Sequence, residues 1–518
     1  MIRFFTRACG KIGRFFWSWG FLKFVLAVIA LVILLYVEED WRGAHNWAVT
    51  KAKWEAQGET FDYAKFIPPP IPDDLNLAAL PLFKLEPTSV TNGKPYLDTD
   101  ALKKAMRSDL IAPPLEYILL GSWQRGELTD MAKVKKLVAG NFAIACKGQR
   151  PPEDSLHQFA ATYPFLTDFL GSAEKRPEFR LNCDYAVSSP ISRTWGPVTA
   201  QIKLSQILTQ HAVLALDAHR SDLALQDIKI TYQVLNGVRR DPSLIGGLVA
   251  LGMSAVSGAA IYNGLAQHEW SDTQLAEIDQ TLKPINFLAD FQFAMRCEVA
   301  QSAANFEFFE QASRFQIRKF FENIFVTKNA EPGWTSAFFV PWPSGWWDDN
   351  KARMVTRVFL SLTSVDPQAH LVFPKGADDL QLQIEKAKAN WVAYAPWNIL
   401  ADISSGPITR ALQKYAQAQV WVDEARIACA LERYRLAQGV YPASLDALAP
   451  ASIDALPHDI LNGQPYHYSL RADGTFLLYS VGWNQTDDGG KIVFEQDAPK
   501  IMDYTQGDWV WPTPQLSH

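Results

Sequence analysis

LSQILTQHAVLALDAHRSDLALQDIKITYQVL, residues 204–235, is the stretch that decides how the body of this chain folds. Leu204, Ile207, Leu208, His211 and Ala215 recur at i, i+3, i+4, i+7 and i+11, which places them on one face of an α-helix. His211 on that face reads as a packing residue before it reads as a ligand. Ala218-His219-Arg220-Ser221-Asp222 has the composition of a turn, and Leu223, Ile228, Tyr232 and Leu235 resume the period on a second helix. Asp241-Pro242 stops it, because proline has no amide hydrogen to continue the ladder. Paired helices of this length are similar to tetratricopeptide (TPR-like) units. Since the fixed period of about 34 residues is absent, the expectation is an irregular α-helical body.

Outward from this pair the helical reading continues over roughly residues 100–325. Leu244 to Ile261 carries no charge and is rich in Gly246, Gly247, Gly252 and Gly258, the small residues of close helix packing. It reads as a buried central helix or as a second membrane span. Arg239 and Arg240 argue against the span, since they would lie on the disfavoured side. Ser271 to Gln274 is a capping box. Arg296 and Glu298 interrupt an apolar helical run from Phe291 to Ala304 and are expected to serve as a structural polar pair. Phe338, Phe339, Trp342, Trp346 and Trp347 cluster among Gly and Pro, a segment suited to a membrane interface, to a groove or to packing on its own domain. Helix returns from about 381, with a break at Ser404-Ser405-Gly406-Pro407.

Towards the N-terminus, Phe24 to Val37 is an unbroken apolar run that Phe21 and Leu22 extend, near the lower length limit for a spanning helix. Arg3, Arg7, Lys11, Arg14 and Lys23 lie before or within it, and Glu38, Glu39 and Asp40 follow. The positive-inside rule then puts the N-terminus in the cytoplasm. The expectation is a single-pass inner-membrane protein, held by residues 21–37, with its bulk in the periplasm. Leu35-Tyr36-Val37-Glu38 offers no small-residue cleavage site, so an uncleaved anchor is favoured over a signal peptide. Removing those five positive charges from the net −6 leaves −11 on the remainder, which argues against nucleic acid as a partner. Beyond the anchor, residues 38–60 read as a helix, and Ile67-Pro68-Pro69-Pro70-Ile71-Pro72 reads as a stiff linker. The expected order is thus anchor 1–37, membrane-proximal helix and Pro-rich linker 38–100, α-helical domain 101–410 and an α+β module 411–518, in a mainly α fold.

That last module has the most specific pattern in the chain. Its helix ends in Ala430-Leu431-Glu432-Arg433-Tyr434, with Gly439 in the C-cap position before Tyr441-Pro442. Leu456-Pro457-His458-Asp459 follows, then Gly463, Pro465-Tyr466-His467-Tyr468, Asp473-Gly474 and Ser480-Val481-Gly482. Alternating apolar residues around Tyr466–Tyr468 and Phe476–Val481 indicate short antiparallel strands. In order and spacing this resembles the globular end of type II secretion pseudopilins. The resemblance implies a small antiparallel sheet packed on the helix, protein contacts in a secretion assembly and, as in major pseudopilins, calcium in the late loop. It departs from that family in two ways. Residues 38–418 separate the anchor from the module, and Val25 stands at the fifth position after Gly20, where prepilin processing wants Glu. Incorporation into a pilus is therefore not implied.

Asn484, Thr486, Asp488, Gly489 and Glu495 fall at EF-hand loop positions, and Asp487 adds a carboxylate. Asn and Thr replace the usual acids, so a polar turn competes with a calcium site. Cys146, Cys183, Cys297 and Cys429 show no metal spacing; one Cys146–Cys183 disulfide or buried thiols are both open. G-x-S-x-G, H-E-x-x-H, Walker A and G-x-G-x-x-G are absent, and Asp98-Thr99-Asp100 is a common triplet. The favoured function is a non-enzymatic envelope scaffold that binds envelope or secretion-system proteins. The alternatives are an exported hydrolase or transferase whose site converges only in three dimensions, and a carrier for a lipid or other apolar ligand. A cleft with a His–carboxylate pair would favour the enzyme, and an apolar tunnel the carrier.

Overall fold

The computed structural model describes residues 19–80, 83, 87–91, 94–97, 123–181, 196–313, 342–389, 396–405, 408–497 and 501–513. Asp98-Thr99-Asp100, Cys183, Phe338 and Phe339 lie outside them. The chain forms two compact units, one from Met1–Phe61, Val299–Val358 and Leu382–Gly406, the other from Asp62–Glu298, Phe359–Gln381 and Pro407–His518.

The first unit begins with α1, Trp19–Glu55, a single 37-residue helix. Its apolar window has a mean hydropathy of 2.7 and none of it is buried, so α1 is long and apolar enough to cross a membrane. Gly58, at φ 88°, takes the left-handed conformation that ends the helix, and the Glu59 amide closes back on the Trp54 carbonyl at 3.1 Å.

The second unit is built on helices. In chain order they are α2 (Met131–Ala145), α3 (Ser155–Thr162), α4 (Phe165–Ala173), α5 (Gly196–Asp217), α6 (Ser221–Val238), α7 (Leu244–Ala266) and α8 (Asp272–Leu282). Later come α9 (Phe287–Gln311), α10 (Ser344–Leu362), α11 (Pro374–Ala389) and, after α12 (Pro396–Ser405) of the first unit, α13 (Ile408–Gln438); α9, α10 and α11 each run from one unit into the other. The predicted helix pair is α5–α6, turning at His219, whose φ of 54° is left-handed. Ser271 and Gln274 close the capping box of α8 reciprocally.

α7 packs against α5, α6 and α13, and two-thirds of its most apolar window is buried. It is the core helix of its unit, and its glycines explain how. A Cβ on Gly247 would lie 1.7 Å from the Tyr415 hydroxyl, and one on Gly258 would lie 2.7 Å from the Trp123 ring. The backbone is thus approached by large side chains on either side. His211 packs as expected, stacked on Phe159, but its Nδ1 also bonds buried Asp227 at 2.6 Å. Arg296 donates to Gln292 one turn back, and Glu298 accepts from the Leu244 amide that opens α7. The Pro-rich stretch is fastened to this unit: the Pro68 carbonyl accepts from Arg180 and the Asp73 carbonyl from Arg176.

Short strands complete the chain. β1 (Pro87–Thr91) pairs with β2 (Lys94–Leu97), and β3 (Val365–Asp366) with β4 (Leu371–Val372). At the C-terminal end, β5 (His467–Leu470), β6 (Phe476–Ser480) and β9 (Trp509–Trp511) form an antiparallel sheet in the order β5-β6-β9. β7 (Ile492–Phe494) and β8 (Met502–Gly507) make a separate hairpin. α13 packs against β6, β8 and β9. Asp459 organises the turn: its carboxylate accepts from the Leu461 and Val481 amides and from the Ser480 hydroxyl, all at 2.9–3.0 Å. The Leu456–Asp459 and Ser480–Gly482 motifs therefore meet in space through one buried carboxylate.

Candidate functional site

Where α7 and α13 end beside the three-stranded sheet, the second unit opens a cleft of about 540 Å³. Its aromatic side comes from three places. Tyr262 on α7 meets Trp511 of β9 edge-on at 5.9 Å, Trp123 lies behind both, and Tyr441 meets Phe476 of β6 at 5.0 Å. Each ring is held by a neighbouring element, so the wall is preformed. At the rim Val440 (66% exposed) and Leu470 (47%) stand in water. Tyr262 is 1% exposed, and its hydroxyl has no hydrogen-bond partner among the described residues. A buried hydroxyl left in that state costs about 1–3 kcal/mol, and burial alone raises its pKa.

The polar end of the cleft is organised by Glu432, whose side chain is almost fully buried. Its two oxygens accept from His268 Nδ1 at 2.8 Å, Arg435 Nε and Nη2 at 2.8 and 2.6 Å, and the Tyr441 hydroxyl at 2.9 Å. Burial pushes the carboxyl up, but the hydrogen bonds from Arg435 and His268 outweigh it and hold the pKa below the ordinary value. Arg435 lies one turn beyond Glu432 on α13, the i, i+3 spacing that lets the pair meet. His268 arrives from the turn after α7 with a φ of 56°, a left-handed conformation uncommon for a non-glycine residue. The two threonine hydroxyls in the cleft are already engaged. Thr475 donates to Asp473 at 2.6 Å and Thr513 to the Phe476 carbonyl at 3.3 Å.

The residues proposed for calcium lie elsewhere. Asn484 Nδ2 donates to Asp488 at 3.0 Å, and Thr486 N donates back to Asn484 Oδ1, an Asx turn. Asp487 accepts from the Gly489 amide and the Tyr479 hydroxyl, which hold its pKa below the ordinary range. Glu495 stands exposed on the β7–β8 hairpin, its amide bonded to the Ile501 carbonyl. Among the described residues no group of three or more His, Cys, Asp and Glu side chains is placed to hold a metal ion. Cys146 and Cys429 are buried free thiols, and Cys297 is buried.

Glu432 and Tyr441 enter the sequence pattern only as parts of a motif, and Arg435, Tyr262 and His268 carry no motif of their own there. The two-turn spacing from Ala428 to Arg435 could have suggested a shared face; the convergence with α7 could not. Set beside protein-family models, curated proteins and solved structures, the chain matches none.

Proposed function

We propose that this chain is a membrane-tethered, non-enzymatic binding protein that takes hold of its partner at the cleft between α7, α13 and the sheet. The observation that carries this reading is an open, aromatic-walled cleft with an exposed apolar rim and an unpartnered buried hydroxyl. Such a surface gains free energy when an apolar group covers it. The pseudopilin-like order of motifs from Ala430 to Gly482 points to envelope or secretion-system proteins as the source of that group. A periplasmic placement follows from the basic residues before α1 and the acidic body after it.

His268 paired with Glu432 favours a second reading, a hydrolase or transferase with His268 as base. Against it, the carboxylate is saturated by four donor contacts and the nearby hydroxyls of Thr475 and Thr513 are engaged.

The test places a photo-crosslinking phenylalanine analogue at Val440 in the full-length protein in native membranes, with exposed Ile144 on α2 as control. The expected result is one discrete protein adduct at 440 and none at 144, lost when Leu470→Asp charges the rim. Equal, diffuse labelling at both positions would overturn the proposal. A discrete small-molecule adduct would replace the protein partner with a carried ligand.

A further inference from the structure

α1 does not end where its apolar run ends. It continues through Glu38-Glu39-Asp40 to Glu55, rising about 1.5 Å per residue. Glu39 and Asp40 therefore stand about 3–5 Å beyond Val37, and Gly43 about 9 Å beyond it. The start of α10 is locked at this height. The Gly345 amide donates to Asp40 Oδ1 at 3.0 Å, and the Trp346 indole N–H donates to Glu39 Oε2 at 2.7 Å. Backbone meets backbone: a Cβ on Gly43 would lie 2.1 Å from the Gly345 carbonyl oxygen, and one on Gly345 would lie 1.9 Å from that of Glu39. One turn further on, Asp349 accepts from Asn46 at 2.7 Å and pairs with Arg42 at 3.3 Å. Glu39 and Asp40 thus satisfy donors at the N-terminus of α10, where the helix dipole favours negative charge.

Three indoles gather at the same level. Trp41 is 68% exposed on α1, Trp346 and Trp397 are half-buried with ring centroids 5.8 Å apart, and the Arg42 guanidinium lies over Trp397 at 5.6 Å. The polar layer on each side of a bilayer is about 5–8 Å thick, and it is where Trp concentrates. We propose that Trp41, Trp346 and Trp397 form an interfacial seat, with the start of α10 lying in the lipid headgroup layer of the bilayer that α1 crosses. This rests on reading α1 as a spanning helix. The occupant is phospholipid, because the indoles sit within about 6 Å, along the helix axis, of the end of the hydrocarbon-length run.

The experiment uses the full-length protein in phosphatidylcholine vesicles brominated either close to the headgroup or near the chain ends. Tryptophan emission of the wild type is compared with that of a Trp41→Phe/Trp346→Phe/Trp397→Phe variant, and of Trp41→Phe alone in case the triple variant misfolds. The expected difference signal is lost strongly to shallow bromines and weakly to deep ones. Trp19, at the other end of α1, reports on the anchor itself. If quenching of the variant persists while the difference signal is untouched by either bromine, the seat falls and the spanning reading stands. If neither is quenched, both fall.

Discussion

Replacing Glu424 by Gln should remove a pH-dependent loss of stability. Glu424 lies on α13, fully buried against the sheet, and neither of its carboxyl oxygens makes a hydrogen bond of normal geometry. Burial pushes its carboxyl well above the ordinary value, repulsion from Asp459 and Asp423 adds to this, and the Trp511 and Ser480 amides offset only part. The folded chain therefore holds this proton more tightly than the unfolded chain. The resulting stability is fully present below the ordinary glutamate pKa and is lost as pH rises from there towards the folded value. The rate of loss is about 1.4 kcal/mol per pH unit.

Gln keeps the shape and does not titrate, so any fixed cost of the amide shifts the comparison without changing its slope. The stability of wild type minus that of Glu424→Gln should therefore fall as pH rises above about pH 5, with that slope, until the folded carboxyl itself ionises. Urea unfolding of the full-length protein in mild detergent, followed by tryptophan emission at a series of pH values, measures it. Two parallel pH profiles would refute the reasoning, because they would mean that the carboxyl is already ionised in the fold.

Glu432→Gln should cost about 1–2 kcal/mol at neutral pH. Because the folded pKa of Glu432 is lowered, that gap should close as pH falls below the ordinary glutamate range and the wild-type carboxyl protonates, which melting temperature against pH reports. Lys351→Met strands Glu310 and Asp348, which the buried ammonium pairs at 2.9 and 2.8 Å, and should cost about 3 kcal/mol at alkaline pH. The cost should shrink in acid, since burial pushes Glu310 up to about 7 and it can neutralise; denaturant midpoints at two pH values check this. Tyr262→Phe should be neutral or stabilising by up to about 1 kcal/mol in the empty protein, and a clear loss of melting temperature would show that the hydroxyl has a partner. Calcium should leave the melting temperature unchanged, as Asp487 and Asp488 already accept protein hydrogen bonds; a rise of several degrees would show that the loop around Asn484 binds it.

What could be read from sequence was what local periodicity and capping determine. The α5–α6 pair, the Ser271 box and the strands around Tyr468 and Phe476 are set by residues within a few turns of one another. What could not be read depends on distant segments meeting. The cleft draws on residues 262–268, 428–441, 470–476 and 511–513, and no periodicity links them. Glu38, Glu39 and Asp40 look like the acidic flank of an apolar run, yet two of them bind the start of α10 some three hundred positions later. Apolarity alone does not separate the two long apolar helices. α1 and α7 both pass for spans by composition; Arg239 and Arg240 argue against α7 as a span, and its burial and the large side chains fitted against Gly247 and Gly258 identify it as core.

α13 carries two buried glutamates, about 12 Å apart along its axis, and their opposite treatment bears on how the cleft works. Glu424 is pushed towards its neutral form by burial and by repulsion from Asp459 and Asp423, which the Trp511 and Ser480 amides offset only in part. Glu432 is kept ionised by Arg435, His268 and Tyr441, and so ties the end of α7 to the end of α13. Falling pH leaves the first unchanged and reaches the second only below the ordinary glutamate range. Falling pH thus adds no charge at Glu424 and leaves Glu432 charged until the ordinary glutamate range is passed. A partner should then bind through its apolar contacts with the rim at nearly constant affinity over that range. A steep change in crosslinking yield at Val440 between about pH 7 and pH 5.5 would mean that recognition runs through a charged group, in the cleft or on the partner, and not through the apolar rim.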